Sequence, residues 1–252
     1  DELIAQDPKS AEIIRPILRG RDIKRYGYDF ADKWLISTFP SKSYNIDDFP
    51  AVKNYLLGFK PKLKQTGEKL TNEEIQQVIK HAEKNGIQLN EKDLKTSRKK
   101  TTNKWFETQD SIGYWEEFSK QKIVWKAVGK NLTFSLLEPD FFLTAPASFI
   151  TTNSELETLY LLGFLSSDYC KYFIYNNSDT TGAGDIMLNI QSLEKIPIPQ
   201  IENMSKVADI VKHIIIYKQN GSDIRIFEKK LNNLINEIFA FSEDEIKFIG
   251  SQ

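Results

Sequence analysis

The sequence predicts an α+β fold: an antiparallel β-sheet with flanking helices, followed by a C-terminal helical segment. Three observations carry this expectation. Between Ile123 and Phe149, short β-branched or aromatic runs alternate with turn signals, the pattern of strands joined in a meander. On either side of that stretch, apolar residues recur at helical spacing behind Ser/Thr-x-x-Glu caps, which mark helix starts. Beyond Pro199 the chain turns into long amphipathic patterns with nothing strand-like. A domain is therefore expected over residues 1–199, with 70–94 readable as a helical insertion, and a helical spacer or docking segment over 200–252.

In order, Ile13 to Tyr26 holds an apolar run, a break at Gly20 and a short basic turn. Lys33 to Phe39 is rich in Trp, Ile and Thr and reads as a strand. Asp47 to Lys64 reads as one helix, with Val52, Tyr55, Leu56 and Phe59 at helical spacing. Thr71 to Glu74 is a capping box flanked by Leu70 and Ile75 as a staple. The stripe Ile75, Val78, Ile79 and Ala82 follows it, and Gly86 is the left-handed stop. Lys95 to Lys104 (KTSRKKTTNK) has no apolar residue and is expected as a solvated loop or arm.

Ile123–Val128, Leu132–Leu137 and Phe141–Phe149 read as three antiparallel strands. Ser154 to Glu157 is a second capping box. The helix behind it is apolar nearly all round, as a helix buried on most sides must be. Asn176 to Gly184 reads as a flexible polar loop, and Ile196 to Pro199 as a rigid extended exit. Val207 to Ile215 and Ile224 to Ile238 give two amphipathic helices, and a third starts behind the capping box at Ser242.

The net charge of −1 excludes a uniformly basic surface, but the charge is segregated. Arg15, Arg19, Arg21, Lys24 and Arg25 cluster near the start, and Lys95, Arg98, Lys99, Lys100 and Lys104 follow one another without an intervening acid. Acids gather in the closing helices at Asp223, Glu228, Glu237, Glu243, Asp244 and Glu245. Cys170 stands alone, which excludes an internal disulfide and points to a reducing, cytoplasmic setting. His81 and His213 lie beside helical stripes and are expected on the surface, so a zinc site is hard to complete. No apolar run approaches the roughly 20 residues of a membrane span, so no membrane partner is expected. The chain opens at Asp1 with no Met nearby, as expected of a piece of a longer protein.

Catalytic signatures are missing. None of the nine prolines follows an asparagine, so the Asn-Pro-Pro-aromatic motif that surrounds a flipped adenine is absent. No phosphate-cradling GxxxxGK[ST] loop occurs, and Thr181–Gly184 (TGAG) is too short for a GxGxxG cofactor loop. Glu245-Ile246-Lys247 has the letters of a nuclease acid-x-Lys pair but falls in a capped helix, and Pro139-Asp140 has no such pair on the next strand. No catalytic or metal-binding residue is assigned.

Three segments in order resemble the TaqI-like C-terminal specificity domain family of combined restriction–methylation enzymes and solitary adenine methyltransferases. They are RPILRGRDIKRY (Arg15 to Tyr26), then KWFETQDSIGYWEEF (Lys104 to Phe118) with KQKIVWKAVG (Lys120 to Gly129), and finally YLLGFLSSDYCKYF (Tyr160 to Phe173) with KIPIP (Lys195 to Pro199). The resemblance implies target recognition on double-stranded DNA. An upstream methyltransferase domain in the same chain would methylate adenine-N6 with S-adenosylmethionine, and Mg2+ would be needed only if a nuclease is fused. This chain itself is expected to hold no cofactor. The helical tail is similar to the spacer of type I specificity subunits.

The residue chemistry leads the same way. Arg19, Arg21, Lys24 and Arg25 surround a glycine turn and suit phosphate anchoring. Ser97, Arg98, Lys99, Lys100, Thr102 and Asn103 mix cations, hydroxyls and an amide, which can read base edges. Lys126, Lys130 and Asn131 sit at a hairpin, and Thr180 and Thr181 in the second loop. Arg15 and Tyr26 are expected to be structural, and Trp105, Trp115 and Trp125 to be core. Three other readings stand beside this one: half of a type I specificity subunit, an enzyme fragment with unrecognised residues, and a protein-interaction scaffold built on the C-terminal helices.

Overall fold

Pro61 cannot donate to the carbonyl of Leu57, and that missing hydrogen bond ends a helix where the sequence pattern continues it. The computed structural model describes residues 2–200 and 204–251. In place of one helix over 47–64 it has α2 (Pro50–Leu57) and α3 (Lys60–Leu63), after a short N-terminal helix α1 (Glu2–Gln6). Gly58 lies at the break, where a Cβ would come within 2.2 Å of the His81 ring. That ring is half-buried, edge-on to Phe59 with centroids 4.6 Å apart, and its Nε2 lies 2.9 Å from the Tyr55 carbonyl. His81 is thus a packing residue and not the surface histidine expected, whereas His213 is exposed and stacked on Phe227.

The strands are β1 (Ile14–Arg19), β2 (Ile23–Lys24), β3 (Gly27–Tyr28), β4 (Trp34–Ile36), β5 (Lys122–Lys126), β6 (Val128–Gly129), β7 (Phe134–Leu137), β8 (Phe142–Thr144), β9 (Ala147–Ile150) and β10 (Ile186–Met187). The remaining helices are α4 (Asn72–Lys84), α5 (Glu155–Leu165), α6 (Asp168–Asn177), α7 (Ile190–Leu193), α8 (Ser205–Gln219), α9 (Arg225–Phe239) and α10 (Glu243–Gly250). The α+β class is as expected, and the chain divides into two compact units.

One unit holds the residues up to Arg15 together with Trp34–Trp115. Its core is Ile13, Ile14, Ile46, Phe49, Val52, Leu56 and Phe106. The α4 cap forms as the sequence predicts: Thr71 Oγ1 accepts the Glu74 amide at 3.2 Å, and the Glu74 carboxylate accepts the Thr71 amide at 3.0 Å. Gly86 ends that stretch with φ of +65°.

The other unit comprises Pro16–Lys33 and everything from Glu116 onward that is described. β5 is the centre of an antiparallel sheet in the order β7-β5-β9, with Ile123 opposite both Leu136 and Ile150. The expected strand over 141–149 is in fact two strands. β8 leaves the meander to pair in parallel with β1, Ile17 opposite Phe142, before β9 returns to β5. The change falls at Pro146, which has no amide hydrogen for a ladder.

α5 is buried on most sides, as its all-round apolar sequence requires. Its cap differs from the expected box: Ser154 Oγ accepts the Glu157 amide, but the Glu157 carboxylate accepts from Asn153 instead of Ser154. At Gly163 a Cβ would stand 2.7 Å from both Val207 and Val211, so a glycine there lets α5 and α8 approach closely. The helices after Pro199 share one core with the sheet, in which Trp125, Phe134, Leu162, Val211, Leu231 and Ile235 all lie.

Candidate nucleic-acid interface

The polar run over 95–104 is not a free arm. It lies antiparallel to residues 65–70, held by backbone hydrogen bonds from Ser97 to Glu68 (2.8 Å), Gly67 to Arg98 (2.8 Å), Leu70 to Lys95 (3.2 Å) and Thr101 to Gln65 (3.1 Å). Strand-like pairing turns alternate residues to opposite sides. Ser97 is buried with its hydroxyl 3.1 Å from Thr66 Oγ1. The half-buried Arg98 donates through Nη1 to the Glu107 carbonyl at 2.7 Å, and burial pulls its guanidinium below its ordinary value. Asn103 donates to the carbonyls of Thr108 and Gln109, both at 3.0 Å.

Three of the expected base readers thus have polar groups engaged inside the loop. Lys99, Lys100 and Thr102 are exposed along it.

The structure adds residues that the sequence reading missed. Lys62 Nζ donates to the Thr96 carbonyl at 3.0 Å, and Lys60 Nζ lies 5.4 Å from the ring centre of Trp105, so α3 supplies cations beside the pinned run. Lys42 lies likewise 4.6 Å over Trp115. Trp105 and Trp115 are half-buried platforms under lysines, where core positions were expected; Trp125 is core, with Nε1 donating to the Leu188 carbonyl at 3.0 Å. The alternation KPKLK was a visible signal for Lys60, Lys62 and Lys64.

In the second unit the signature turn splits by role. Arg19 grips Asp22 bidentately at 2.7 and 2.8 Å, which holds the Asp22 carboxyl below its ordinary range, chiefly through the hydrogen bond from Arg19. Arg25 donates to Glu228 Oε1 at 2.7 Å and to the Ser166 carbonyl at 2.8 Å, and stacks on Tyr26. Tyr26 is buried at positive φ, and burial pushes its hydroxyl up to about 12. Arg21 and Lys24 are exposed, Lys24 lying 3.5 Å from Asp29. Arg15, which belongs to the first unit, donates to the Ala11 carbonyl at 2.9 Å.

The hairpin tip and the second loop meet through β6 and β10, which pair antiparallel with Met187 opposite Val128. The loop expected to be flexible is a closed turn. Thr181 donates to the Asp185 carbonyl at 2.7 Å, Gly184 to that of Thr181 at 2.8 Å, and Met187 to that of Asp179 at 2.8 Å. Three of its amides are thereby spent on the turn itself. Lys126, Lys130, Asn131 and Thr180 are exposed here, Thr181 half-buried, and Tyr175 fixes the tip by donating to the Lys130 carbonyl at 2.7 Å. Among the described residues no group of three His, Cys, Asp or Glu is placed to hold a metal ion, and no helix is long and apolar enough to cross a membrane.

Comparison with known proteins meets this geometry. The profile of the TaqI-like C-terminal specificity domain matches residues 15–198. The chain belongs to that family, and so is a DNA-recognition module of the restriction–modification kind. A Type II methyltransferase, M.MjaIV of Methanocaldococcus jannaschii, is 28% identical over 116 residues, which are 45% of this chain and 38% of that protein. The solved type IIL restriction-modification enzyme MmeI, in complex with DNA, superposes over 100% of this chain and 33% of its own, with a TM-score of 0.54 at 10% identity, a likeness of fold. The chain spans well under half the length of either relative.

Proposed function

We propose that this chain selects the target sequence on double-stranded DNA for a longer restriction–modification protein, in which a methyltransferase domain of the same polypeptide modifies adenine-N6 with S-adenosylmethionine. The observation that carries the reading is the pinned cationic run, which points Lys99, Lys100 and Thr102 outward while Arg98, Asn103 and Gln65 are spent on holding it. Lysines on a preset track suit phosphate contacts, and a hydroxyl beside them suits base edges. Arg21, Lys24, Lys126, Lys130, Asn131 and Thr180 supply the same chemistry on the second unit. Arg19 and Arg25 act by holding the signature turn. The helices after Pro199 act as the docking segment toward the catalytic part.

Binding of a duplex about 30 bp long, measured from about 50 to 200 mM salt, tests this. Each phosphate contact adds about 0.9 to the slope of log affinity against log salt, so Lys99→Ala with Lys100→Ala is expected to lower it by about 1.8. A double variant with an unchanged slope would remove the 95–104 run from the interface.

A further inference from the structure

We infer that Gln65 is a positioning residue for sequence choice: its buried side chain sets the course of the loop that presents Lys99, Lys100 and Thr102. The inference rests on the DNA-reading function proposed above. Gln65 is 5% exposed and lies just beyond α3. Its Nε2 donates to the Lys104 carbonyl at 2.8 Å and the Glu107 carbonyl at 2.9 Å, and its Oε1 accepts from Thr101 Oγ1 at 2.6 Å. One amide thus spans the loop at 101, 104 and 107. Arg98 reaches the same Glu107 carbonyl, and the Glu107 carboxylate closes the far side by accepting the Lys104 amide at 2.8 Å.

The exposed residues that face solvent lie inside this bracket. Lys99 and Lys100 fall between the Arg98 and Thr101 anchors, and Thr102 between the Thr101 and Asn103 anchors. Phosphate attraction tolerates loop motion because it depends on charge and distance. Base reading does not, since a bidentate or hydroxyl contact needs its donor held to a fraction of an ångström. The Gln65 amide is therefore placed to control selectivity while leaving non-specific affinity to the lysines. The backbone pairing of 65–70 with 95–101 does not use the Gln65 side chain, so its loss leaves that ladder in place.

The test compares wild type, Gln65→Leu and Thr101→Val, the last removing the bond to Gln65 Oε1 and the one that Thr101 Oγ1 accepts from the Asn103 amide, in two measurements. The first is trypsin cleavage after Lys99 and Lys100 in the full chain. Gln65→Leu removes all three hydrogen bonds of its side chain, so it is expected to be cut about 10- to 100-fold faster while its melting remains cooperative. The second is selection from a random-sequence duplex pool at about 50 mM salt, with the salt slope recorded alongside.

Gln65→Leu is expected to lose about tenfold or more in preference for the wild-type-selected sequence over the pool, with an unchanged salt slope. If Gln65→Leu does not fold, Thr101→Val carries both measurements with a smaller change in the same direction. A variant that folds, is cut faster and still selects the same sequence with the same preference overturns the inference alone. A variant cut no faster than wild type overturns the bracket itself. A wild-type chain that does not bind the pool overturns the proposed function, and the inference with it.

Discussion

Lys122 shows how far a single residue departs from what its letter suggests. It lies in a strand of the expected sheet, yet its ammonium is wholly buried, donating to the carbonyls of Phe118 at 2.9 Å and Glu138 at 3.1 Å. Burial lowers its pKa from 10.5 to about 8, with Asp140 and Glu138 pulling the other way. Between those values the unfolded chain holds more protons than the folded one, so this group's contribution to stability rises with pH across the window. The full rise is about 3 kcal/mol at most. Lys122→Met lacks it, so the stability of the variant relative to wild type, from urea melts at pH 7.5 and 10.5, is expected to fall as pH rises. A difference that stays flat would mean that Lys122 keeps its proton in the fold throughout. Gly163 makes the complementary case: Gly163→Ala forces a methyl to within 2.7 Å of Val207 and Val211 and is expected to cost about 1–3 kcal/mol in the same melts.

At the scale of elements, the local signals were legible wherever the determinant is local. The caps at Thr71 and Ser242 and the apolar α5 needed only neighbours within a turn, and the sequence shows them. Thr71→Ala is expected to cost about 1 kcal/mol and to expose α4 amides to earlier hydrogen exchange, with the rest of the chain unchanged. What misled was continuity. Helical spacing ran through Gly58 and Pro61, and an aromatic-flanked run from Phe141 to Phe149 passed through Pro146, but the first stretch breaks around the His81 ring and the second crosses from one sheet to another. Neither the ring nor the partner strand lies near in sequence.

For the whole molecule, the described helices after Pro199, where the sequence suggests a spacer or docking segment, pack into the same core as the β5 sheet. Leu231 and Ile235 on α9 are fully buried there. Leu231→Ala is accordingly expected to cost about 2–5 kcal/mol, and the loss is expected in the exchange of Val124 and Trp125 amides as well as those of α9. Protection lost from α9 alone would show that the helices unfold independently of the sheet.

The sequence by itself determined the class of the fold, its helix caps, its segregated charge and the family, because each depends on residue types at short spacing or in a long ordered pattern. Only the tertiary structure decided which polar groups are engaged within the chain. Arg19, Arg25, Arg98 and Asn103 carry the right chemistry for nucleic acid, but their partners are Asp22, Glu228 and the backbone carbonyls of Ser166, Glu107, Thr108 and Gln109. A cation's role follows from the acceptor that reaches it first, and in a folded chain that acceptor can lie two hundred residues away, as Glu228 does from Arg25.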